Sequence, residues 1–297
     1  MRKELVLPVL AVAGGAAGFC LRRWELATAF EADTGLHIPF APATIALIAL
    51  SVGMAVVFLL LSLGEHSAFP GGYGQAFGAA GNMPYAAAVV LSAFLLLASA
   101  ALNFLGLPEA YAAAAATAQT TQANPLLSVL ARVVVGILSA LSFFAVLSIA
   151  RSGLRDGGER KYSLPLLVPA FTCGIWLIES YQLRAGDPVV LDYLYELFAI
   201  MAALLALYFI AGFSFERPKV LSSSLFSALG VYFSLTTLAD GHSLYVTLLY
   251  LFAAVYLTAN LALLHYNDRI YRDAQPPADE AAPETGDAKL EERPHEP

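Results

Sequence analysis

Long apolar runs, rather than apolar–polar alternation, set the rhythm of the chain. Eight stretches, roughly 4–21, 41–63, 85–107, 125–150, 164–183, 188–214, 221–239 and 243–266, consist mainly of Leu, Ala, Val, Ile and Phe. A helix needs about 20 mostly apolar residues to cross the hydrocarbon core of a bilayer, and each run is close to that length. The runs are too long for strands and lack their period of two. The pattern predicts an all-α, polytopic membrane helix bundle of about eight transmembrane helices. Pro42, Pro84, Pro125, Pro165 and Pro188 stand near the starts of runs, where a missing N–H costs no intrahelical bond.

The first run, after Met-Arg-Lys, has the form of a signal peptide. It continues to Leu21, however, and Gly14 and Gly18 make a G-x-x-x-G spacing that lets helix backbones approach closely. A retained helix is expected. Between runs, Arg22–Gly35 reads as a short amphipathic helix on the outer surface. Segment 108–124 reads as a short Ala-rich external helix. The Gly-rich stretch 64–84 reads as a flexible loop without the Lys or strand–turn–helix context of a phosphate cradle. Trp24, Tyr85, Tyr162, Trp176, Tyr181 and Tyr266 lie near span ends and read as interfacial anchors.

Composition agrees with this class. Hydrophobic residues make up 59% of 297 residues and charged residues 13%, whereas soluble domains are nearer half and a quarter. That balance excludes an ordinary soluble domain, a disordered chain and a nucleic-acid binder. The formal charge of −7 is concentrated at the end. Residues 267–297 carry nine acids and four bases in a Pro-rich acidic stretch, which predicts a disordered cytoplasmic tail following a bundle that occupies 1–266. Cys20 and Cys173 lie in apolar runs with no ligand-like neighbours.

Lys and Arg favour the cytoplasmic side of a membrane. Ten of them fall on the side of the termini (Arg2 and Lys3, the 151–161 loop, Arg217 and Lys219, Arg269 and Arg272). Three, Arg22, Arg23 and Arg184, fall on the other. Both termini are therefore expected to be cytoplasmic, in the cytoplasmic membrane of a bacterium. The Arg22–Arg23 pair argues locally the other way.

Four charges lie inside the predicted spans: Arg132, Glu179, Asp192 and Glu196. Ionisable groups at membrane depth are costly and are functional candidates by default. At 1.5 Å per residue, Arg132 lies about 10 Å below the start of its span and Glu196 about 12 Å; Asp192 and Glu179 lie about 6 Å from an end. Alternating topology puts all four in the outer half of the bilayer. Asn103, Thr236 and Thr237 reach a similar level. Asp192 and Glu196, four apart, share a helix face that Ala199 and Ala203 continue. Three acids against one arginine leave an excess of negative charge, to be met by protonation, by a cation or by water. The competing interpretation is structural: Arg132 pairs with Glu196 or Glu179 and ties three helices together.

Several chemistries lack their residues. No H-E-x-x-H, G-x-S-x-G or G-x-x-x-x-G-K-[ST] occurs. No histidine lies well inside a span, so no metal centre is expected at membrane depth, and no cofactor is expected. No span carries a lysine for a Schiff base. An enzyme is disfavoured.

Two stretches, Leu21–Leu36 (LRRWELATAFEADTGL) and Asp187–Phe213 (DPVVLDYLYELFAIMAALLALYFIAGF), resemble uncharacterised multi-pass integral membrane proteins of anaerobic Gram-positive bacteria. The resemblance implies location and fold; that family brings no activity with it. It also implies that the Trp24–Glu25 segment and the Asp192–Glu196 helix are characteristic parts.

The expected function is a permease-like or solute- or ion-binding protein, with Arg132, Glu179, Asp192 and Glu196 forming the site. Its partners are the lipid bilayer and a small cationic or proton-coupled solute. The alternative is a non-transporting sensor, scaffold or assembly factor in which the intramembrane charges are structural.

Overall fold

The computed structural model describes residues 5–31, 34, 36–63, 69–121, 124–155, 163–184 and 189–273. Regular structure among them is helical: α1 (Val6–Thr28), α2 (Pro42–Ser62), α3 (Gly72–Ala76), α4 (Met83–Leu105), α5 (Leu107–Thr121), α6 (Pro125–Arg155), α7 (Ser163–Arg184), α8 (Val190–Gly212), α9 (Val220–Thr237) and α10 (Leu244–Asp273). A single isolated bridge joins Phe30 and His37. Eight of the helices are long and apolar enough to cross a membrane. Pro42 and Pro125 open their helices, and the side chain of Asn82 caps α4 by accepting from the Tyr85 N–H at 3.2 Å. The chain is a multi-pass α-helical membrane protein.

Helices α4, α6, α7, α8, α9 and α10 pack in that order into a ring, which α10 closes against α4. Helix α1 lies on the outside of α9, and α2 packs on both. Serine, alanine and glycine make this crowding at α9 feasible. Ser223, Ser224, Ser227, Ala228, Gly230 and Ser234 are buried along it, and small side chains let helix backbones come close without a hydrophobic drive between them. Gly18 serves the same end from the α1 side, because a Cβ there would collide with the Thr236 hydroxyl, and one on Gly15 would stand 2.8 Å from Leu235. Large apolar side chains such as Val52, Leu60, Leu91, Phe144 and Phe171 are exposed on the outside of the bundle, as a lipid-facing surface requires.

Three expectations change. The first helix does not stop at Leu21: it runs on to Thr28, so the first part of the surface helix expected over Arg22–Gly35 is a continuation of α1; residues 32, 33 and 35 lie outside the described residues. Arg22 and Glu25 are buried, and their ion pairing carries the helix past the end of its apolar run. The Gly-rich stretch is not simply a loose loop. Phe69, Tyr73 and Phe77 are buried, and Phe69 and Phe77 pack against Phe213, at ring separations of 6.2 and 5.2 Å; residues 64–68 lie outside the described residues. Helix α10 extends to Asp273, seven residues into the segment read as tail, and the remaining 274–297 lie outside the described residues. The helix expected over 108–124 is present as α5, Leu107–Thr121.

Candidate functional site

The four intramembrane charges come to one end of the bundle. Arg132 is two turns into α6, Glu179 one turn from the end of α7, and Asp192 and Glu196 are in the first two turns of α8. The ends of α4 and α9 and the start of α10 meet them there, because successive spans run in opposite directions.

The pairing differs from the expected one. Arg132 makes no ion pair with Glu179 or Glu196 among the described residues. Its Nε donates to Asn103 Oδ1 at 3.1 Å, the Asn103 amide donates back to the Arg132 carbonyl at 3.1 Å, and the guanidinium lies over the Tyr245 ring at 4.7 Å. Gly106 leaves the space for it, since a Cβ there would stand 2.6 Å from Arg132 Nη2. Asp192 and Glu196 instead share Arg184, at 3.5 and 3.3 Å. The expectation of three acids against one arginine is therefore corrected, because a second arginine reaches back from the end of α7. Glu179 accepts from the Tyr245 hydroxyl at 2.9 Å through Oε1. Its Oε2 is buried without a hydrogen-bond partner. Both Arg132 and Glu196 are within electrostatic reach of it.

Of the four predicted charges, Glu179 and Glu196 border a cavity of about 230 Å³, and Arg132 and Asp192 are not part of its lining. It is lined by Trp176, Glu179, Ser180, Leu183 and Arg184 of α7, Glu196 of α8, Gly241–Ser243 of the turn after α9, and Tyr245 and Val246 of α10. Glu179 and Trp176 are nearly inaccessible, at 4% and 2%, while Arg184 is about a third exposed at 32% and stands at the mouth. Trp176 Nε1 is a second buried polar atom without a partner. Trp176 is therefore not the interfacial anchor that its position suggested, and Tyr85 is not one either, being buried with its hydroxyl donating to Asn260. Trp24, Tyr181 and Tyr266 are exposed as anchors should be; Tyr162 lies outside the described residues.

A second cluster adjoins the first. Arg22 is fully buried. Its Nε donates to Asp240 at 2.6 Å and its Nη1 to Glu25 at 2.7 Å, with further bonds to the carbonyls of Leu191 and Asp192. The guanidinium also lies 5.4 Å from the Tyr195 ring centre. Asp240 Oδ2 accepts from Thr237 at 2.7 Å, and the Thr237 hydroxyl is 3.1 Å from His242 Nε2. A hydrogen-bonded line thus leads from the cavity wall at His242 to Arg22 inside α1. In the turn that carries both groups, burial raises the Asp240 carboxyl above its ordinary value against the opposing pull of Arg22. Burial likewise lowers the His242 imidazole, against the upward pull of Glu196 and Asp240.

Taken together, five carboxylates (Glu25, Glu179, Asp192, Glu196, Asp240) meet three guanidinium groups (Arg22, Arg132, Arg184) at this end. The surplus of acid found in the sequence persists: Arg22 is shared by Glu25 and Asp240, Arg184 by Asp192 and Glu196, and Glu179 has no ion-pair partner among the described residues. Arg22, Asp240 and His242 lie outside the apolar runs, so a search for charges within spans misses them. One signal was available: the turn 240–242 joins spans at the same end as Glu196.

No protein-family model matches the chain, and neither curated proteins nor solved structures yield a match.

Proposed function

We propose that the chain is a permease-like or solute-binding membrane protein whose site is the cavity between α7, α8 and the start of α10, in the outer half of a bacterial cytoplasmic membrane. The observation that carries this reading is Glu179: a carboxylate nearly sealed from solvent, one oxygen of which faces no donor, on the wall of a cavity. An unpaired buried charge costs several kcal/mol, and a cation or a proton arriving in the cavity offsets that cost. Solute binding and carboxyl protonation then compete for one group, which is the elementary basis of proton coupling.

The orientation is supported by the basic loops. Arg22 is consumed inside the bundle, so it no longer counts as a loop charge against cytoplasmic termini. The resemblance of Leu21–Leu36 and Asp187–Phe213 to membrane proteins of anaerobic Gram-positive bacteria supports the bacterial setting.

The test is binding of small organic and inorganic cations to purified protein, read by thermal unfolding between pH 5.5 and 8. At least one cation is expected to stabilise the protein more at high pH than at low, and Glu179→Gln is expected to weaken that effect. A protein indifferent to every cation, with the pH response of Glu179→Gln unchanged from the parent, contradicts the reading. The pairing of Asp192 and Glu196 with Arg184 favours the second reading, a non-transporting sensor, scaffold or assembly factor. It predicts a co-purifying protein that is lost on deletion of residues 274–297, which follow α10.

A further inference from the structure

We infer that the solute is a small primary amine carrying one neutral oxygen acceptor, of the amino-alcohol class, and not a metal ion, a quaternary ammonium or an amino acid. The inference rests on the reading of the cavity as a solute site and asks what would complete it. Two residues of its wall, Glu179 and Trp176, each carry a buried polar atom without a partner, Oε2 and Nε1. The first only accepts when ionised; the second only donates. Leaving either unsatisfied costs its desolvation. Trp176 and Glu179 are three residues apart on α7 and share one face, so one short molecule can reach both. An ammonium supplies N–H donors to Glu179, and a hydroxyl oxygen accepts from Trp176.

Other ligand classes fit less well. Among the described residues no group of three or more His, Cys, Asp or Glu side chains could hold a metal ion, and hard cations require six or more oxygens. Glu196, the other acid in the cavity, is already engaged by Arg184 at 3.3 Å. A quaternary ammonium has no N–H to give Glu179. An amino acid would bring a carboxylate between Glu179 and Glu196, where negative charge is already in surplus.

The walls and the volume agree with this class. Leu183 and Val246 line the cavity beside the Tyr245 ring, and that ring already carries one cation, Arg132, at 4.7 Å. A volume of about 230 Å³ holds about eight water-sized groups, which suits a molecule of a few heavy atoms and falls below the drug-sized range.

The experiment is calorimetric titration of the full-length protein in detergent with 2-aminoethanol, propylamine, choline, glycine and magnesium chloride at pH 7.5. 2-Aminoethanol is expected to bind, propylamine roughly tenfold more weakly for want of one hydrogen bond, and the others not measurably. Glu179→Gln should abolish binding of both amines. Trp176→Phe should remove the preference for 2-aminoethanol while propylamine binds as before, a split that simple misfolding would not produce. If choline, glycine or magnesium binds more tightly than 2-aminoethanol and depends on Glu179, the ligand class is overturned while the cavity remains a solute site. If none of the five binds, the inference falls; if Glu179→Gln then also unfolds as the parent does across pH 5.5–8, the solute-site reading falls with it.

Discussion

Two buried charge clusters lie side by side at one end of the bundle, one complete and the other incomplete. Arg22 is surrounded: two carboxylates and two backbone carbonyls accept from it, and an aromatic ring lies close by. Glu179 has one donor for two oxygens and a cavity beside it. Burial and charge alone therefore do not mark a site, since both clusters have them. What separates the two is whether the hydrogen-bonding capacity of the charged group is used up. A completed cluster holds helices together, and an incomplete one retains capacity for a ligand.

The largest effect expected from this contrast is at the complete cluster. Arg22→Ala leaves Glu25 and Asp240 buried without their cation and should cost about 3–5 kcal/mol, read as a lowered midpoint of thermal unfolding in detergent. Next is the close approach that positions it. Gly18→Val forces α1 away from Thr236 and should cost about 1–3 kcal/mol as overpacking. Glu179→Gln should behave oppositely to Arg22→Ala: it removes an incompletely satisfied charge, so stability should hold or rise in the same unfolding assay.

A smaller effect concerns His242, which links the two clusters. Burial lowers its pKa in the folded protein, so between that lowered value and the ordinary value of about 6.5 the unfolded chain binds more protons. Stability must then rise with pH across this window, by at most about 1.4 kcal/mol per pH unit for one group. Acidification from pH 7.5 to 5.5 should destabilise the parent more than His242→Gln. The smallest effect is expected far from both clusters. The exposed Arg269–Asp273 pair at 3.5 Å should contribute under about 1 kcal/mol, so Asp273→Asn should leave the unfolding midpoint nearly unchanged.

The sequence made the spans legible because length and apolarity are what a bilayer demands of a helix. It also made the meeting of Glu179, Asp192 and Glu196 legible, since alternating topology places them at one level. The extension of α1 was not legible. Arg22 and Glu25 look like loop residues until Asp240, about 220 positions away, is seen to receive the guanidinium, and a tertiary partner of that kind leaves no local signal. Arg184 gives no local signal for a similar reason, as it ends a span and reads as a loop base. Trp176 matched the pattern of an interfacial anchor, and only packing reveals it as a cavity wall. The Phe69, Tyr73, Phe77 spacing of four was an available sign that the Gly-rich stretch folds back onto the bundle.

The central claim is that the cavity beside Glu179 is reachable from water while the rest of the core is not. It is tested most directly by thiol accessibility in a Cys20→Ser, Cys173→Ala background, with Glu179→Cys and, as a dry-core control, Ala199→Cys, which replaces a fully buried residue. A small water-soluble ethylammonium methanethiosulfonate should modify the thiol at position 179 and leave that at 199 untouched. Equal protection of both positions would contradict the account.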